Sequence, residues 1–200
     1  RIECHGDVVM DNWSYTGPAQ TSWERMQASD LSVDKISGEI TGRGRGRITR
    51  VQMGTSKLSV SPFDRGSDGS RPDGDRPDEA QGDPNQLTYL NVEFEDRIGG
   101  NLHDQTVSFY GNVHCVYGPV DSWDATLDMN DPDSLGPEGV LLTSDQLTVT
   151  KMASPLDGSD SMELAAEGNV RVEGDMFNAW GHRITYDQAK VRLILEGTRR

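Results

Sequence analysis

The densest run of side chains able to do chemistry is Gly42-Arg43-Gly44-Arg45-Gly46-Arg47, with Arg50 just beyond it. Read as a strand, the run puts Arg43, Arg45 and Arg47 on one face and the glycines on the other. Guanidinium forks match phosphate oxygens, so this row could contact phosphorylated groups or a partner's carboxylates. The competing reading is a solvated edge whose charge blocks sheet-to-sheet pairing. A nucleic-acid grip is not expected, because acids outnumber bases 33 to 19, a net charge of −14, and basic charge supplies most nucleic-acid affinity.

Other reactive groups fall short of known constellations. Asp73-Gly74-Asp75-Arg76-Pro77-Asp78-Glu79 is rich in oxygen. A calcium loop of the EF-hand kind needs a ligand at its fifth position and Gly at its sixth, where Pro77 and Asp78 stand. His5, His103, His114 and His182 have no metal-ligand spacing. No nucleophile elbow, zinc-protease helix or phosphate loop is present in the sequence. A glycosidase pair cannot be singled out from 33 carboxylates. Neither cofactor, metal nor catalysis is expected. Cys4 and Cys115 sit at different places in a repeated motif, two before its Gly and four after it. On equivalent, in-register strands that offset is roughly 20 Å, against the ~7 Å a disulfide allows, so two buried free thiols are expected.

The elements that carry these residues follow from composition. The chain has 200 residues, 34% apolar and 6% aromatic, with 22 Gly and 9 Pro. That predicts thin β layers joined by turns within a single domain over 1–200. No apolar run approaches the ~20 residues of a spanning helix. The negative charge also opposes adsorption on anionic membranes. The chain begins at Arg1, as expected of a fragment of a longer protein. Only Trp23–Ala28 offers a turn or two of helix. Leu31–Val33, Leu58–Val60, Leu90–Phe94, Leu147–Val149 and Val191–Leu195 alternate as strands do. Ser61–Gln86 holds four prolines, four glycines and a crowd of carboxylates, which predicts a mobile surface loop. Asn130–Pro137 and Ser154–Ser161 are rich in turn residues.

Three segments repeat: Ile2-Glu3-Cys4-His5-Gly6-Asp7-Val8-Val9-Met10, Val107–Val116 around Gly111-Asn112-Val113, and Leu164–Val172 around Gly168-Asn169-Val170. Counted from each Gly, even offsets are apolar and share one strand face. Odd offsets, such as Glu3, Asp7, Ser108, His114, Glu167 and Arg171, are mostly polar and face out. The mid-strand Gly marks a bend or bulge. A second motif follows each copy at Leu31-Ser32-Val33, Leu147-Thr148-Val149 and Ile184-Thr185-Tyr186, lying 25, 36 and 16 residues beyond the Gly. The unit is constant and its connections vary, as in stacked supersecondary repeats.

The last unit, Glu167-Gly168-Asn169-Val170-Arg171-Val172-Glu173-Gly174 followed by Arg183-Ile184-Thr185-Tyr186-Asp187 and Leu195-Glu196-Gly197, resembles the OstA-like family of lipopolysaccharide-transport proteins, of the LptA and LptD N-terminal-domain type. The resemblance touches roughly residues 1–53 and 88–200. The chain departs from the family in its acidic loop, its long Val120–Leu141 connection and its charge. The resemblance implies an all-β, repetitive antiparallel β-jellyroll, or β-taco, with an apolar lumen. It implies a non-enzymatic module in the periplasm or cell envelope of a diderm bacterium. Its partners would be lipopolysaccharide or another acylated lipid, held in the lumen, and similar modules docked edge to edge. Lumen candidates are Val8, Met10, Phe109, Val113, Cys115, Ala166, Val170, Val172, Ile184, Tyr186 and Leu193; Arg43, Arg45 and Arg47 are candidate phosphate contacts at the rim. Two readings stand beside it. The apolar residues could pack on one another as a closed core in a scaffolding module that binds proteins at its edges. Less expected is a carbohydrate-acting jellyroll enzyme.

Overall fold

A computed structural model describes residues 1–53, 86–131, 135, 136, 138–153, 160–174, 177–187 and 192–197. The strand expected at Leu58–Val60, the acidic loop apart from Gln86, and residues 154–159 of the third turn-rich stretch lie outside the described residues.

Among the described residues ten strands are present: β1 (Ile2–Thr16), β2 (Ala19–Val33), β3 (Glu39–Met53), β4 (Leu87–Phe94), β5 (Arg97–Asn101), β6 (Thr106–Val120), β7 (Val140–Ala153), β8 (Asp160–Gly174), β9 (Phe177–Asp187) and β10 (Arg192–Glu196). They form one sheet in the order β1-β2-β3-β4-β6-β7-β8-β9-β10, and every pairing is antiparallel. β4 and β5 are one broken strand. Both lie between β3 and β6, on either side of a bend at Glu95 and Asp96. Val92 and Ile98 share a buried cluster with Ala166, Val170 and Ile184, from strands far along the sheet order. The sheet therefore folds over on itself. The chain is an all-β protein with an antiparallel jellyroll-like fold.

The segment Trp23–Ala28 is strand, within β2, and not helix. It pairs with β1 on one side and β3 on the other, and those two ladders override its weak helical preference.

The repeats are hairpins in identical register. In β1/β2, β6/β7 and β8/β9 the residue two before the motif Gly faces the first apolar residue of the second motif: Cys4 opposite Leu31, Phe109 opposite Leu147, Ala166 opposite Ile184. Each Gly-Asx pair is a bulge with both residues left-handed: Gly6 and Asp7 at φ 77° and 46°, Gly111 and Asn112 at 82° and 45°, Gly168 and Asn169 at 75° and 47°. Asx residues tolerate that region best among non-glycines, hence the Asn or Asp after each Gly. Gly44 in β3, at φ 81°, joins the same line and donates its N–H to Asp96 O at 2.6 Å. Asp96 in turn donates to Tyr110 O at 3.0 Å. The bulges thus run along one transverse line, which cuts the sheet into two halves.

Side chains sort into two faces. One inner row reads Cys4, Leu31, Gly42, Ile98, Phe109, Leu147, Ala166, Ile184, Leu195 across successive strands. The outer face is not uniformly polar. Val51, Leu87, Tyr89, Val116, Val120 and Leu141 are buried there, in a second cluster with Leu135. The connection between β6 and β7 covers them, with Trp123, Ala125, Leu127 and Met129 packed against the cluster. Trp123 and Trp180 follow their glycines at equal distance yet are not equivalent. Trp123 covers this outer cluster, while Trp180 stands on β9 and is exposed.

Candidate functional site

The inner face gathers most of the lumen candidates. Phe109, Val113, Ala166, Val170, Val172 and Ile184 form one cluster with Val92, Phe94, Ile98 and Leu147, and Cys115 and Leu193 pack against it. Tyr186 is buried too, and burial pushes its phenol pKa up. Val113 has no exposed surface, so water does not reach the middle of this face. Its neighbour across the ladder, Ser144, is buried with a hydroxyl that has no hydrogen-bond partner among the described residues.

The edges differ. Val8 is half-buried and Met10 is 47% exposed, because β1 is paired on one side only among the described residues. Met10 faces inward opposite Met26 but lies beyond the packed centre. At the other edge, Leu193 is half-buried and Leu195 exposed on β10. The apolar inner face is thus sealed in the middle and open at both ends of the sheet.

The thiols follow this gradient. Both cysteines are free. Both are only half-buried, which corrects the expectation of two buried thiols: Cys4 lies on β1, which has a neighbour on one side only among the described residues, and Cys115 packs against the core cluster without being enclosed by it. Cys115 packs on the core, and loss of water pushes its pKa up to about 12. Since the thiolate is the nucleophile, Ellman's reagent at pH 8 is expected to titrate Cys4 in the native protein and Cys115 only after unfolding. Equal rates for the two thiols under native conditions would show that the β6 side chain is open to solvent.

The arginine run does not form one row. Gly44-Arg45 is a bulge, and it separates Arg43 from Arg47 along β3. Arg43 lines a depression of ≈ 580 Å³ with Asp30, Arg97 and Tyr110. Arg45 and Arg47 line a separate, polar groove of ≈ 1200 Å³ between the outer face and the β6–β7 connection, with Asn91, Glu95, Asp128 and His114. Arg47 is paired with Glu93, and Thr49 Oγ1 donates to Asn91 Oδ1 at 3.1 Å. The glycines do lie on the opposite face: Gly42 and Gly46 are buried, and a Cβ on Gly46 would sit 2.3 Å from the Phe94 ring.

Other charges are paired along the strands. Asp11 accepts two hydrogen bonds from Arg25, at 2.7 and 3.0 Å, which hold its carboxyl below the usual range. Arg25 also lies 5.4 Å from the Trp23 ring centre. His5 Nδ1 lies 3.1 Å from Asp30 Oδ1 on exposed strands, and His114 Nε2 lies 3.2 Å from Asn112 Oδ1. No group of three or more His, Cys, Asp or Glu is placed to hold a metal among the described residues. No helix among them is long and apolar enough to cross a membrane.

Sequence reasoning missed Arg97, Tyr110 and the outer cluster. Nothing in Arg97-Ile98-Gly99-Gly100 reveals that Arg97 lies directly opposite Arg43, 54 positions earlier in the chain (97 − 43). The outer cluster had a signal, the apolar spacing of Trp123, Ala125, Leu127 and Met129 inside an apparent loop.

Compared with known proteins, the chain matches no family model and no curated protein sequence.

Proposed function

We propose that the chain is a non-enzymatic module of a bacterial cell envelope, in the periplasm of a diderm. It docks edge to edge with similar β-jellyroll modules and presents its apolar inner face to the acyl part of lipopolysaccharide or another acylated lipid. The supporting observation is where that face is open. Ile2 and Met10 on β1 and Leu195 on β10 are its exposed residues, at the two strands that have a neighbour on one side only among the described residues. A second module adding its edge strand to β1 would satisfy the free backbone groups and extend the apolar strip at once. An acyl chain on that strip gains about 0.8 kcal/mol for each CH₂ removed from water.

The sealed centre favours a narrower version, a scaffolding module that docks through its edges and holds no lipid. Native mass spectrometry of protein made in a diderm host separates the two, followed by titration with lipid A. The lipid reading expects co-purified lipid, displaced by lipid A and lost in Met10→Asp and Leu195→Asp, whose exposed positions leave the centre intact. An apo mass with no lipid A binding, together with concentration-dependent self-association, would leave the scaffold alone standing.

A further inference from the structure

The observation that the docking and lipid readings leave unused is a pair of like charges placed face to face. Arg43 on β3 and Arg97 on β5 are directly opposite each other in the ladder. Like charges at such positions are destabilising. Yet in a chain of net charge −14, neither guanidinium has a carboxylate within 4 Å among the described residues. The other charges of the same depression are matched. Arg1 Nε lies 2.8 Å from Glu3, and the Asp30 carboxylate that stands in register beside Arg43 is held by His5 at 3.1 Å.

The surroundings keep the two forks available. The Arg97 guanidinium carbon lies over the Tyr110 ring, 4.1 Å from its centre, a cation–π contact that fixes its position. Below the pair, on the same outer face, the next row is small and polar: Ser32, Thr41 and Gly99. A Cβ on Gly99 would meet nothing within 4 Å among the described residues, so they leave the floor beside the arginines open. The depression measures ≈ 580 Å³, inside the roughly 300–1,000 Å³ of small-molecule sites.

We propose that this depression binds a phosphomonoester, its dianion bridging Arg43 and Arg97 and its hydroxylated body lying over Thr41 and Gly99. Planar forks suit two oxygens each, and a dianion converts the facing charges from a repulsion into a clamp. Arg43 and Arg97 stand on the face opposite the apolar strip, and Leu31, Gly42 and Ile98 of the inner row complete the lining of the depression; the proposal does not rest on lipid binding.

Calorimetric titration of the whole chain at low salt tests it, with glucose 1-phosphate, inorganic phosphate and glucose as probes. Glucose 1-phosphate is expected to bind with a Kd below about 1 mM and glucose not at all. Arg43→Ala and Arg97→Ala should each weaken binding about tenfold or more, the scale of one lost charged hydrogen bond. The melting temperature should move little in either, since each relieves the facing pair but loses a favourable neighbour, Asp30 beside Arg43 or the Tyr110 ring under Arg97. Gly99→Glu supplies an internal carboxylate between the forks; it should abolish binding and raise the melting temperature. Tighter binding of glucose 1-phosphate than of phosphate identifies a phosphorylated sugar as the ligand class; the reverse identifies the free anion, and both uphold the site. No binding of either phosphate at 10 mM, or binding undiminished in the two arginine variants, overturns it.

Discussion

Gly111→Ala is expected to cost the fold roughly 3 kcal/mol or more, enough to move its urea midpoint far below the wild-type value. Two separate penalties meet there. The residue has φ 82°, a left-handed conformation that costs an L-residue about 1–2 kcal/mol. A Cβ would also stand 2.7 Å from Asp96 Cβ and 2.9 Å from Asp96 N, at the bend joining β4 to β5. That bend cannot recede, because Glu95 and Asp96 donate their N–H groups to Gly111 O and Tyr110 O at 2.8 and 3.0 Å. Gly6→Ala is the internal control. Its φ is 77°, but a Cβ there would meet nothing within 4 Å, so about 1–2 kcal/mol is expected from conformation alone. Equal losses in the two variants would mean that the close approach at Asp96 contributes nothing.

The second large effect is expected in the inner core. Phe94→Ala should destabilise by about 3–5 kcal/mol, the range for large aromatic truncations that leave a cavity. Phe94 is 2% exposed, stacks at a tilt against Phe109 with ring centres 5.6 Å apart, and fills the space above Gly46. Gly46 has no side chain to move into that space, so collapse into it is poor. Val9→Ala, on the exposed outer face of β1, should change stability by less than about 0.5 kcal/mol. A Phe94→Ala loss no larger than the Val9→Ala loss, measured by urea unfolding, would mean the inner face is loosely filled and able to admit a ligand.

The hairpin repeats and the inward positions of Phe109, Val113, Ala166, Val170 and Ile184 were legible because period-two alternation survives the bulge. The extra residue of each Gly-Asx step keeps the residues two before and two after the Gly on the same face. What alternation cannot report is how far along the sheet a strand lies. Met10 carries the same motif position as Cys115, yet one is on an edge and the other on the core. The arginine run misled for a related reason. Its Gly-x-Gly-x pattern reads as uniform alternation, while the positive φ of Gly44 breaks it between Arg43 and Arg47. The Trp23–Ala28 window failed because six residues carry little helical signal against two flanking ladders.

The strand order has a consequence for how the molecule forms and how it could have arisen. Apart from the split β4–β5 position, each strand pairs with the strands before and after it in the chain. The β3–β5 ladder, which joins residues 54 to 62 positions apart, is the exception; elsewhere among the described strands loop-closure entropy is spent in smaller steps. Folding can start at any of the three repeat hairpins and spread outward, the behaviour of one-dimensional repeat arrays. The same arrangement means that duplicating one hairpin in the gene lengthens the sheet by two strands while leaving the neighbour-to-neighbour strand pairings in place.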